Sequence, residues 1–147
     1  MKTSITPKLR PLTRIGALTL LAGLTASVSH AADIFWTGPS GSYTNTTSWA
    51  GGVVPGAADN AIATNGLGNV VQINVGNPDW TVIDISAGGV TNGAGAFVQN
   101  GQTVNVNGWM LIGSGADGTG AYTLNDGTLN ILGGRLFMGD RPGSSRS

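Results

Sequence analysis

One stretch of this chain is written twice. Residues 95–106 (GAFVQNGQTVNV) align with residues 120–131 (GAYTLNDGTLNI) at an offset of 25. Gly95/Gly120, Ala96/Ala121, Asn100/Asn125, Thr103/Thr128 and Asn105/Asn130 are identical, and Phe97/Tyr122, Val104/Leu129 and Val106/Ile131 keep their chemical character. The match runs on through Trp109–Gly113 against Arg135–Gly139 at an offset of 26, with Gly134 absorbing the slip. Self-similarity at a period of about 20–50 residues belongs to solenoids, in which each repeat buries its apolar face only against its neighbours.

The repeated unit reads as strand. Thr103-Val104-Asn105-Val106 and Thr128-Leu129-Asn130-Ile131 alternate polar and apolar residues, the two-residue period of a strand with one buried face. Trp109–Ile112 and Leu136–Met138 are short apolar runs closed by glycine, and Val70–Val75 and Thr81–Ile85 alternate in the same way. Asn125-Asp126-Gly127 is a tight-turn signal, because these residues accept positive φ at low cost. The mature chain shows no convincing 3.6-residue apolar face. The expected fold is all-β: a parallel β-helix (β-solenoid) with coils of about 25 residues. Stacking would place Asn100 beside Asn125 and Asn105 beside Asn130 as side-chain ladders, with Thr103 beside Thr128. An antiparallel sandwich or barrel has strands at ~8–12-residue spacing, and leaves the longer period unexplained.

The N-terminus reads as a leader. Lys2, Lys8, Arg10 and Arg14 precede an uncharged, largely apolar run, Ile15–Val28, and Ser29-His30-Ala31 offers small residues at the exit. This is the pattern of a secretory signal peptide cut after Ala31. The apolar run is shorter than the ~20 residues that span a bilayer. A helical signal peptide over 1–31, a Trp-containing cap and first coil over 32–88, and repeats over 89–147 form the expected organisation. The repeats stop mid-coil at Ser147, which reads as a truncated or N-terminal fragment of a longer protein.

Past residue 31 the chain holds seven aspartates, three arginines (Arg135, Arg141, Arg146) and no lysine, glutamate, histidine or cysteine, a net charge of −4. Nucleic-acid binding is disfavoured, since phosphate contact rests on lysine and arginine. Serine–histidine, cysteine–histidine and histidine-metal chemistry have no residues to use. Aspartate pairs are the acid–base option left, among Asp79, Asp84, Asp117, Asp126 and Asp140, and turn geometry accounts for most of them. Gly113-Ser114-Gly115-Ala116-Asp117 partly matches a calcium-binding G-G-x-G-x-D repeat, but Ile112 fills the first glycine position and Thr119 stands where a large apolar residue belongs. No cofactor is expected, with Ca2+ the weak exception.

The segment 34–65 carries Trp36-x-Gly38, Ser48-Trp49, Gly52-Val53-Val54-Pro55, and Asp59, Ala61 and Ile62 in close succession. This block resembles the opening of secreted, glycine-rich bacterial β-helix repeat proteins of the autotransporter-passenger-like and PEP-CTERM-associated group. The resemblance implies export and a structural or adhesin-like role at the cell surface or outer envelope, with surface glycans or other envelope proteins as partners. It departs at the C-terminus, which shows neither a translocating barrel nor a Pro-Glu-Pro sorting signal. From physics alone the same block is a cap, in which Trp36 and Trp49 supply large buried area, and Trp80 and Trp109 in the strand patterns are expected to pack likewise. The sharper alternative makes Trp36, Tyr43 and Trp49 an exposed sugar-stacking platform, and thus a carbohydrate-binding module. A third reading is a fragment of a polysaccharide-degrading β-helix enzyme.

Overall fold

The computed structural model describes residues 31–139. Residues 1–30 of the leader, and Asp140, Arg141 and Arg146, lie outside the described residues. The elements are β1 (Ala32–Trp36), β2 (Gly41–Ser42), two 3-10 turns (Thr46–Ser48 and Ala50–Gly52), β3 (Asp59–Ala63), β4 (Asn65–Ile73), β5 (Trp80–Val82), β6 (Ile85–Ala87), β7 (Ala94–Val106), β8 (Met110–Ile112), β9 (Thr119–Ile131) and β10 (Leu136–Met138).

These strands wind into about four turns of a parallel β-solenoid. One sheet has the order β1-β3-β6-β8-β10, so successive coils lie side by side. In the other, β2, β4, β7 and β9 follow one another, and β5 also pairs with β7. All the strand pairings among the described residues are parallel. The repeat seen in the sequence is the β7–β9 register itself, Ala96 over Ala121, Phe97 over Tyr122 and Asn105 over Asn130. Its slip is real as well, since Met110 pairs with Leu136. Less regular coils are hidden upstream: Trp36, Ala63, Ala87, Ile112 and Met138 form one column although their spacing in sequence varies.

The Asn125-Asp126-Gly127 signal marks a corner of a coil, not a hairpin. β9 passes through it with Gly127 at φ 95, and β7 makes the matching bend where Gln102 has φ 66. Register irregularities between Gln99 and Thr103 sit at the same corner. Each coil therefore has three arms: a short one in the first sheet and two halves of a long, bent strand in the second.

Two glycine columns explain identities in the repeat. Gly88, Gly113 and Gly139 close the first-sheet arm with positive φ, 67, 59 and 82. Gly95 and Gly120 lie where a Cβ would strike the carbonyl oxygens of Ala63 and Ala87. At the first column glycine supplies the left-handed conformation, and at the second it admits close backbone approach.

Alternate residues of each arm point inward and fill the solenoid. Val71 and Phe97 lie in one column, Val104 and Val106 pack beside Trp80 and Val82, and Ile85 and Met110 lie in the first-sheet arm, all within the same buried cluster. Phe97→Ala is expected to cost about 3–5 kcal/mol by transfer and cavity terms together. Its outward neighbour, Val98→Ala, is expected to change stability by under about 0.5 kcal/mol. Urea unfolding of the two variants checks this difference.

Candidate functional site: the outer face of the first sheet

The aromatic platform is overturned. Trp36, Tyr43 and Trp49 are 1%, 2% and 2% exposed and pack inside the first coil, so they present no surface to a sugar. The two 3-10 turns and the segment leading to β3 fold across the start of the solenoid. There Trp36 meets Trp49 edge to face at 5.0 Å, and Tyr43 stacks on Trp80 at 4.5 Å. Three of the four polar ends are tied down inside: Trp49 Nε1 donates to Tyr43 O at 2.7 Å, Trp80 Nε1 to Pro55 O at 2.8 Å and Tyr43 Oη to Pro78 O at 2.6 Å, while Trp36 Nε1 is buried without a partner. An end otherwise lined by backbone is closed with large rings. Trp109 departs from the packed reading: it is 39% exposed and lies against Phe137 at 5.3 Å.

The ladder residues meet as stacking requires. Asn130 Nδ2 donates to Asn105 Oδ1 at 2.9 Å, and Asn105 Nδ2 reaches Thr81 Oγ1 at 3.3 Å. At the corner Asn125 Nδ2 donates to Asn100 Oδ1 at 2.8 Å, and Asn100 Nδ2 to Asn74 Oδ1 at 3.0 Å. The backbone partner of Asn100 is Asp126, so the bulge rather than strict register brings Asn125 over it. Thr103 and Thr128 stack in register. Asn74 and Thr81 extend both ladders, and neither was legible as a member because the coil carrying them is irregular in sequence.

The aspartates serve local backbone. Asp79 Oδ1 accepts the N–H of Thr103, Asp84 Oδ1 that of Trp109, Asp59 Oδ2 that of Gly56 and Asp126 Oδ1 that of Gly127. Asp117, in the calcium-like segment, has φ 56 and stands one coil above Asn92, with φ 55, in an equivalent corner. Among the described residues no three His, Cys, Asp or Glu side chains gather where they could hold a metal ion.

One polar network lies indoors. Gln99 is fully buried, with Nε2 donating to Gln102 O at 2.9 Å and Thr128 O at 3.0 Å, while its Oε1 accepts Tyr122 Oη at 2.6 Å. Every hydrogen-bonding group of the amide is engaged, which is what makes it tolerable in an apolar interior. Burial pushes the Tyr122 phenol far above its usual range, and burial followed by the Asp79 charge raises that of Tyr43.

The candidate site is elsewhere, on the outer face of the first sheet. Outward-pointing residues there form two rows across the coils. One runs Phe35, Ile62, Ser86, Leu111 and Phe137; the other runs Asp33, Asn60, Asp84, Trp109 and Arg135. With Gly89 and Val90 of the following corner, the first four members of the apolar row and the first three of the polar row line a groove of about 230 Å³. Phe35, Ile62 and Leu111 offer it an apolar floor, and Asp33 and Asp84 supply hydrogen-bond acceptors. The polar row breaks the ladder rule. Asn60 Nδ2 donates to Asp33 Oδ1 at 2.7 Å, but the next side chain is Asp84, which when ionised has no proton to return. Asn60 Oδ1 is left buried without a partner. Sequence reading missed this face because its members lie 24–27 residues apart in the part of the chain where the repeat is not visible.

No helix among the described residues is long and apolar enough to cross a membrane.

Asp84→Asn keeps an oxygen for the Trp109 N–H and adds an amide donor beside Asn60 Oδ1. The variant is expected to gain about 1 kcal/mol, the scale of one satisfied buried hydrogen bond, in chemical denaturation. The buried phenols set an alkaline limit. Their folded-state pKa values lie above the ordinary value of 10.0, so their contribution is complete below pH 10 and is lost as pH rises from there through the folded values. Tyr122→Phe is expected to flatten the fall in stability above pH 10, measured by denaturation at a series of pH values. No known protein family, curated protein or solved structure matches the chain.

Proposed function

We propose that this chain is an exported, non-catalytic β-solenoid that acts as a structural or adhesin-like module at the surface of a bacterial cell. The observation that carries this reading is the unbroken stack: each coil is hydrogen-bonded to the next through backbone, and the coils carrying Asn74, Asn100 and Asn125 also through asparagine ladders, around one apolar interior. Such a stack is quasi-one-dimensional, with stability accumulating as nearest-neighbour interfaces. It sets side chains at fixed intervals of about 4.8 Å along its faces. The leader supports export, and the block over residues 34–65 resembles that of surface β-helix proteins. The groove on the outer face of the first sheet is the surface such a module would turn toward a partner.

Two measurements test this. Mass spectrometry of the exported protein is expected to find Ala32 as the first residue, and a chain retained whole in the cytoplasm would defeat the export reading. Hydrogen exchange is expected to show strongest protection in the central strands β4, β6 and β7 and weakest in β10. That gradient follows if coils unravel one after another from the less covered end. Uniform loss of protection across all strands would count against the stack as a mechanical unit.

A further inference from the structure

The two ends of the solenoid are not alike. Ile34, Met110 and Leu136 belong to one inward column, and Trp36, Ile112 and Met138 to another. Ile34 is 9% and Trp36 1% exposed in the first coil, whereas Leu136 is 50% and Met138 72% exposed in the last. The same positions are sealed at one end by the 3-10 turns and open at the other. Leu124, 49% exposed, and the half-buried Tyr122, Leu129 and Ile131 continue the open end along β9.

The backbone tells the same story. β9 is 13 residues long, pairs with β7 on one edge and has no strand on its other edge among the described residues. Exposed edges are ordinarily blunted by lysine, proline or shortness. Thr119–Ile131 contains neither lysine nor proline and has a single charge, Asp126.

We propose that this open end is a homodimer interface, in which two copies meet last coil to last coil with their β9 strands paired antiparallel. Among the described residues the first coil is already covered, so a second copy meets this end with its own last coil and the contact is isologous. The geometry closes on itself. An axis through the corner at Asn125, the midpoint of β9, lays the first half of one β9 over the second half of the other. It emerges opposite through β10, where Leu136 and Met138 meet their counterparts. The area suffices. A coil of 25 residues at about 3.3 Å per residue, with a rim about 10 Å deep, presents on the order of 800 Å² per copy, the size of a standard stable interface.

The test is light scattering on the purified protein at micromolar concentration, together with cross-linking of single-cysteine variants. The expected mass is twice that of one chain. Leu136→Lys with Met138→Lys is expected to give monomers, while the buried indoles of Trp36, Trp49 and Trp80 at the far end keep their fluorescence and report an intact fold. Asn125→Cys is expected to cross-link copies through a short bis-maleimide, and Asp33→Cys is not. Asp126→Asn, which removes the charge nearest the axis, is expected to tighten the dimer. A monomeric wild-type protein overturns the proposal, since the end is then covered by the chain's own terminal segments or left bare. Cross-linking between Asn125→Cys and Asp33→Cys copies, or open-ended oligomers, overturns it in favour of head-to-tail stacking.

Discussion

Parallel backbone pairing between successive coils is the constraint from which the rest of this structure follows. Each strand satisfies its donors and acceptors with strands one coil away, so like position must lie beside like position. A residue tolerated once is then tolerated repeatedly, and an unsuitable one disturbs its neighbours above and below. This is why Gly95 recurs as Gly120 against a carbonyl of the first sheet, and why asparagine sits over asparagine. The side-chain ladders repeat the logic of the backbone: an amide has both a donor and an acceptor, so a column of them can satisfy itself indefinitely.

The Asp33–Asn60–Asp84 row shows the converse. Replacing one amide by a carboxylate removes the donor, and a buried acceptor is orphaned. Such a departure from local consistency marks where a protein has kept something other than stability. It lies in the groove, where an apolar floor and carboxylate acceptors occur together.

The ends obey a different rule from the middle. Interior coils are covered by their neighbours, and many of their inward positions hold small or medium side chains, such as Ala61, Ala63, Ala87 and Val104, beside the larger Trp80 and Phe97. Among the described residues the first coil has no neighbour before it, and three large rings and two 3-10 turns stand in for one. Burial of Trp36, Tyr43 and Trp49 is the consequence, and it removes the sugar-stacking role that their composition alone left open.

The amino-acid sequence by itself determined the class of fold. Its period of 25 predicted stacking, its alternation predicted strands, and its paired asparagines predicted the contacts of Asn105 with Asn130 and of Asn100 with Asn125. These were legible because repetition makes a tertiary contact visible as a sequence identity. Only the tertiary structure decided what the irregular coils do. The columns linking Trp36 to Ala63 and Ala87, the extension of the ladders to Asn74 and Thr81, and the groove among Asp33, Asn60 and Asp84 join residues of unlike type. A shared column constrains volume and side, not identity, so side chains that touch across these irregular coils need not resemble one another in sequence.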